Sequence, residues 1–192
     1  MEVFEAIKGR RSIRRYQATP LDNKTLETVL EAARWAPSWA NTQCWRFIVV
    51  RDNTTKVKLA DTLAQKRGGE LLAENPAMNA VRSAPVVIVA CAELGRSGCK
   101  SGKPTTDKGD WYMFDVALAM QNLVLAAHAL GLGTVYIGLF DAKEAAAILE
   151  VPPGFSVVSM TPLGYPDQAP PPKPRKELGE IVFHERFGNR PE

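Results

Sequence analysis

The chain is poor in the residues that most often carry chemistry by themselves. Two histidines, His128 and His184, and three cysteines, Cys44, Cys91 and Cys99, are spread over 192 residues. No CxxC pair occurs and no histidine lies near Cys91 and Cys99, so the cysteines read as free thiols rather than metal ligands. An odd, unevenly spaced trio with no secretion signal in Met1 to Arg11 makes no disulfide framework, and the expected compartment is a reducing cytoplasm. A one-sided charge is missing as well. The 24 Lys+Arg and 21 Asp+Glu leave a net charge of only +3, which calls for neither nucleic acid nor a membrane surface. No internal repeat is present, and no glycine-rich GxGxxG follows a strand, which excludes a regular doubly wound dinucleotide fold.

What is present is a long apolar helix around which the rest can be placed. Trp111 to Leu130 carries Ala117, Leu118, Ala119, Met120, Leu123, Val124, Leu125, Ala126 and Ala127 on all sides, so it leaves no polar stripe to face water. About 20 residues at 1.5 Å each also match a bilayer, but Asp115, Gln121, Asn122 and His128 would be costly in lipid. The helix belongs inside a domain, and its many alanines suit close packing on a second long helix or on its own copy in a dimer. Gly131-Leu132-Gly133 turns the chain into a strand from Thr134 to Gly138.

Earlier in the chain, Glu2 to Lys8 reads as a short amphipathic helix closed by Gly9, and Asp22 caps a helix reaching Trp35 before Pro37. Arg46 to Arg51 and Pro85 to Cys91 read as strands, with a helix from Thr54 to Lys66 between them that Gly68-Gly69 ends. Gly95 to Asp110 has no periodicity, so it is either a lid over a site or a disordered insertion. Lys143 to Glu150 is a short helix and Ser156 to Thr161 a strand, after which Gly164-Tyr165-Pro166 leaves the core. Pro170-Pro171-Pro172-Lys173-Pro174 makes Gln168 to Arg175 a stiff extended arm, and Ile181-Val182-Phe183 can add one more strand, on this chain or on a partner. The fold class is α+β: a sheet with helices on it.

Two stretches carry chemistry. Arg10-Arg11-Ser12-Ile13-Arg14-Arg15 supplies guanidinium forks and a hydroxyl suited to phosphate, or else forms a solvated basic turn. Pro37-Ser38-Trp39-Ala40-Asn41-Thr42-Gln43-Cys44-Trp45 sets two indole rings among amides and hydroxyls. A planar heterocycle needs such faces and edges, although Trp45 can equally be a core plug.

These two stretches, with Arg46-Phe47, with Gly131-Leu132-Gly133-Thr134 and Ile137-Gly138, and with Gly164-Tyr165-Pro166 followed by Lys173-Pro174-Arg175-Lys176, resemble in this order the nitroreductase family of FMN-dependent flavoproteins. The resemblance spans nearly the whole chain. It implies a mixed sheet flanked by helices in a single domain of residues 1–192, with a lid over 95–112 and a C-terminal arm over 166–192 exchanged in a dimer. It also implies a homodimer with FMN at the subunit interface, NADH or NADPH as electron donor, and a small-molecule oxidant such as a nitroaromatic or quinone. Carried over by position, Arg10, Ser12 and Arg14, within a cluster that includes Arg11, would hold phosphate, ribityl and the pyrimidine edge. Lys173 and Arg175 would complete the phosphate site, and Pro37, Ser38, Trp39 and Asn41 would come from the other subunit. Ile137 and Gly138 would lie against the ring. The flavin carries the chemistry, so no general acid or base is expected. Trp39 stands where the family often has a small residue, and Cys44 where it often has proline. A dehalogenase-like or flavin-fragmenting enzyme on the same fold, and a non-enzymatic basic module binding phosphate-bearing macromolecules, are the competing readings.

Overall fold

The structure is a computed structural model describing residues 1–64, 66–67, 70–71 and 75–190. In chain order its elements are α1 (Val3–Gly9), α2 (Asn23–Arg34), β1 (Trp45–Val50), α3 (Asn53–Asp61), β2 (Lys66–Arg67), β3 (Glu70–Leu71), α4 (Pro76–Ser83), β4 (Val86–Glu93), β5 (Cys99–Lys100), β6 (Lys103–Pro104), α5 (Tyr112–Ala129), β7 (Gly133–Thr134), α6 (Ala142–Ile148), β8 (Phe155–Gly164) and α7 (Leu178–Ile181). Helix starts follow local chemistry. Asp22, Asp52 and Asn75 each accept a backbone N–H of the first turn, from Thr25, Thr55 and Ala77 at 2.8, 2.7 and 3.0 Å.

The main sheet has the order β1-β4-β8-β7, and its ladders are antiparallel. Parallel pairing enters only at the isolated Ser12–Thr134 bridge among the described residues, so the mixed character rests on that one contact. β4 explains its own unbroken apolar sequence. Val86, Ile88, Ala90 and Ala92 pack under α2 and α5, while Val87, Val89 and Cys91 pack against α3, α4 and α6 on the opposite face. A strand covered on both sides has no reason to alternate apolar with polar residues.

The central helix runs as expected, and each polar group it carries has a role. Asp115 is buried, Asn122 Nδ2 donates to the Ala32 carbonyl at 3.2 Å, Gln121 accepts from Tyr136 at 3.0 Å, and His128 faces Gly9. Burial is not complete, however. Met113, Phe114, Ala117 and Gln121 are exposed, because α2, the sheet and the end of α1 leave that face of the helix uncovered.

Several boundaries differ from the sequence-based expectation. The helix after Asp52 ends at Asp61 rather than Lys66: Thr62 Oγ1 turns back to the Leu59 carbonyl at 2.6 Å, and Lys66 pairs with Leu71 in a small hairpin. The breaker Gly68-Gly69 lies outside the described residues. α4 was not expected at all, although Asn75-Pro76 is a cap followed by proline at the first helical position. The strand expected over Thr134 to Gly138 is limited to Gly133–Thr134 plus a bridge from Ile137 to Met160, and β8 is longer than expected, starting at Phe155 and reaching Gly164. Ile181 ends a helical turn instead of starting a strand, because Glu177 and Glu180 form a reciprocal capping box. Gly95 to Asp110, read as a lid or a disordered insertion, is not unstructured but holds the tight hairpin β5–β6.

Residues 12–17 are sewn between β7 and the chain leaving β8. Ile13 N donates to Thr134 O at 2.8 Å, Gln17 N to Tyr165 O at 2.9 Å, and Asp167 N to Arg15 O at 2.9 Å. Gly133 permits this approach: a Cβ there would stand 2.7 Å from Ile13 Cγ2 and 2.8 Å from its Cβ, and Ile13 is itself buried. Gly133→Ala is therefore expected to destabilise the fold by about 1–3 kcal/mol, measurable as a lower urea midpoint. An unchanged midpoint would show that Ile13 can move aside.

Candidate functional site

The arginine segment and the C-terminal arm, more than 150 positions apart in sequence, meet in space. A cavity of about 360 Å³ is lined by Arg10, Arg11, Ser12, Arg14, Pro170, Pro171, Lys173 and Arg175. Its lining holds five cationic side chains and no carboxylate, and no ion pair among the described residues engages any of the five. Such a concentration of like charge favours an anion, and a phosphate group offers the oxygens to receive it. The meeting follows from the stitching of residues 12–17 to Tyr165 and Asp167, which anchors the arm beside the arginines.

A second cavity, of about 320 Å³, shares Arg14 with the first. Asn75, Pro76, Ala77, Val135, Tyr136, Ile137, Gly138 and Leu139 complete it. A highly charged compartment thus adjoins a mostly apolar one, with Arg14 on both. That is the division a ligand with a phosphate tail and a flat ring requires. Ile137 is buried, and Gly138 has open space where a side chain would stand. Asn75, Ala77 and Tyr136 escaped the sequence reading. The Asn75-Pro76 cap was the available signal for the first two, while Tyr136 offered none.

Arg11 departs from the rest of its cluster. Its guanidinium donates to the Lys8 carbonyl at 2.6 Å and the Arg10 carbonyl at 2.9 Å, so it is engaged in closing α1.

Pro37, Ser38 and Trp39 do not join these cavities within the chain. They line a separate one of about 260 Å³ with Trp111, Phe114, Asp115 and Leu118. Asn41 follows on a turn whose backbone is unusual: Ala40, Asn41 and Gln43 have φ of 43°, 56° and 47°. Left-handed non-glycine residues cost roughly 1–3 kcal/mol each and persist only where neighbours hold them. Here Ser38 Oγ accepts the Gln43 N–H at 2.9 Å, and the Asp115 carboxylate accepts the Trp39 N–H at 3.1 and 3.2 Å. The Trp39 and Trp111 rings lie 5.5 Å apart at 44°, and Phe114 meets Trp111 edge-on at 5.3 Å. Cys44, which stands where the resembled family often has proline, is fully buried. Burial first and Asp115 second push its thiol up to about 12, which leaves it protonated and inert. Trp45 is a core residue, which settles its reading as a plug.

The segment before α5 is well tied down. Asp110 accepts the Gly95 N–H at 2.6 Å, Thr105 N donates to Gly98 O at 2.8 Å, and Trp111 Nε1 donates to Thr106 Oγ1 at 2.9 Å. Gly98, at φ +68°, faces the Trp111 ring where any side chain would collide.

His128 stands behind the arginine cluster. Burial lowers its pKa below 6.5, and Arg10 and Arg11 lower it further. Between that depressed value and 6.5 the unfolded chain binds more protons, so stability is full above about 6.5 and falls as pH drops below it. In urea unfolding at pH 7 and pH 5, wild type is expected to lose more stability than His128→Gln. Equal losses would remove His128 from the account.

No group of three or more candidate metal ligands occurs among the described residues, and none of their helices is long and apolar enough to cross a membrane. Compared with known proteins, residues 7–165 match the sequence model of the nitroreductase family. A nitroreductase family protein from Clostridium novyi NT has 33% identity and a TM-score of 0.74, over 99% of this chain and 97% of that one. The FMN reductase [NAD(P)H] of Bacillus subtilis is 28% identical over 100% of this chain and 76% of its own. The 5,6-dimethylbenzimidazole synthase of Rhodospirillum rubrum is 29% identical over 88% and 84%.

Proposed function

Because the chain belongs to the nitroreductase family, we propose that it is an FMN-dependent oxidoreductase that passes electrons from NADH or NADPH to a small oxidised acceptor such as a nitroaromatic or quinone. The observation that carries the reading is the carboxylate-free cavity of Arg10, Arg14, Lys173 and Arg175, joined through Arg14 to the compartment at Ile137 and Gly138. The residues fit FMN. Arg10, Ser12, Lys173 and Arg175 would hold its phosphate end, and Ile137 and Gly138 would bound its ring. FMN supplies the redox chemistry when bound, and a cation such as Arg14 at the ring side favours the reduced, anionic form. Arg11 would act on α1 rather than on phosphate.

Pro37, Ser38, Trp39 and Asn41 reach a flavin only from a second copy, which makes the enzyme a homodimer in this reading. Exposed Val3, Phe4 and Ile7 on α1 and Met113 and Phe114 on α5 offer apolar surface for that pairing, and the arm leaves Leu178 and Phe187 exposed for exchange. The chain would act as one domain in the cytoplasm, with the β5–β6 hairpin as lid on the acceptor side.

The test is anaerobic. The purified yellow protein should lose its flavin absorption band on adding NADH or NADPH and regain it with a panel of oxidants. Failure to take up FMN even when it is supplied would sink the proposal. A second reading follows from the dimethylbenzimidazole synthase relative, whose product carries the dimethylbenzene ring found in flavin. Quantitative return of oxidised flavin after exposure of the reduced protein to air separates the two, since flavin consumption would favour the second.

A further inference from the structure

Asp115 is a charged side chain in the first part of the central helix, only 1% exposed, and no ion pair among the described residues engages it. Its partners come from two separate segments. Besides the Trp39 N–H, its oxygens accept from Ser97 Oγ at 2.6 Å and Thr42 Oγ1 at 3.4 Å, with Cys44 Sγ at 3.8 Å. A buried carboxylate is tolerated only when its lone pairs are satisfied, and the start of a helix also favours negative charge. Everything Asp115 binds lies either on the turn of Trp39 to Cys44 or at the foot of the segment holding β5 and β6.

We propose that Asp115 is a positioning residue that holds the left-handed turn Trp39 to Gln43 in shape and, through Ser97, fixes it to the β5–β6 segment, so that the flavin-facing turn and the acceptor-side hairpin form one rigid unit. The inference rests on the proposed flavin site for its functional half. Three left-handed non-glycine residues so close together relax unless their surroundings hold them, and among the described residues the carboxylate on α5 is the buried charged group bonded to the turn. The Trp39–Trp111 stack reports the arrangement, because Trp39 rides on the turn while the backbone N–H of Trp111 donates to the Ser97 carbonyl at 2.9 Å.

The experiment compares full-length wild type, Asp115→Asn, Asp115→Leu and Ser97→Ala. Far-ultraviolet circular dichroism of the flavin-stripped chain reads the coupled tryptophan pair, and FMN titration reads the site. Asn keeps an acceptor for Trp39 and should retain the tryptophan couplet and FMN affinity to within about threefold. Leu removes every acceptor, so it should lose the couplet and bind FMN roughly tenfold or more weakly. Ser97→Ala should weaken the couplet and raise KM for bulky oxidants more than it lowers kcat. A folded Asp115→Leu with wild-type couplet and FMN affinity overturns the proposal, even if it melts earlier. If that variant does not fold, a Ser97→Ala chain indistinguishable from wild type in couplet and KM overturns it instead. Should wild type bind no FMN, the flavin reading fails while the couplet still decides whether Asp115 holds the turn.

Discussion

A chain carrying both Arg10→Ala and Arg175→Ala is expected to purify colourless and to take up FMN only at concentrations about a hundredfold or more above those that saturate wild type. A charged hydrogen bond contributes about 1.5–3 kcal/mol, so two lost together remove roughly 3–6 kcal/mol if they act independently. The structure adds a control that the sequence alone did not offer. Arg11 belongs to the same basic run, yet its guanidinium is engaged with the Lys8 and Arg10 carbonyls. Arg11→Ala should therefore lower stability modestly, by fraying α1, and leave FMN affinity within a few fold. Fluorescence titration of the stripped proteins makes the measurement. Full flavin content in the double variant after dialysis would remove the cavity of Lys173 and Arg175 from the phosphate site. Equal losses from Arg11→Ala and Arg10→Ala would mean that the basic run acts only through its overall charge.

Complementation between two inactive variants should restore activity. One variant is altered at Arg10 and Arg175, the other at Ser38 and Asn41. Ser38 lines a cavity that shares no residue with the two that Arg10, Arg14 and Arg175 line, and the proposed site takes these two sets from two copies. In a mixed twofold dimer one site then collects every substitution and the other collects none. Random pairing makes about half of all dimers mixed, each with one intact site. Differently tagged copies, purified through both tags, should be yellow at one flavin per dimer and active at about half the wild-type rate. Colourless and inactive mixed dimers would show that the two groups do not meet across an interface. Ser38 also accepts the Gln43 N–H within its own turn, so Asn41→Gly alone, which tolerates the φ of 56°, should accompany the pair as the variant that spares the turn's backbone.

How much of this was legible in the residues depends on the range of the interactions involved. Helix starts at Asp22 and Asp52, the identity of β1 and β4, and the extent of α5 follow from caps and apolar runs that act within a few residues. The same local chemistry at Asn75-Pro76 was present but unread, and at Glu177 and Glu180 it makes a helical turn where an apolar triplet suggested a strand. The resemblance to a family named the basic residues and the Trp39 turn as site residues. Which of them share a cavity depended on tertiary structure, because nothing local relates Arg10 to Lys173. The Ile13 and Tyr165 backbone bonds bring them together, and Gly133 leaves the space. Arg11 is set apart from its neighbours by local carbonyls, those of Lys8 and Arg10, but tertiary structure brought the arginine run to the arm. It also turned Asp115, in sequence merely a reason not to place α5 in lipid, into the buried acceptor on which the 38–44 turn and the 95–110 segment both depend. A carboxylate's role is set by which donors surround it once water is gone, and those donors come from segments that only the folded chain makes neighbours.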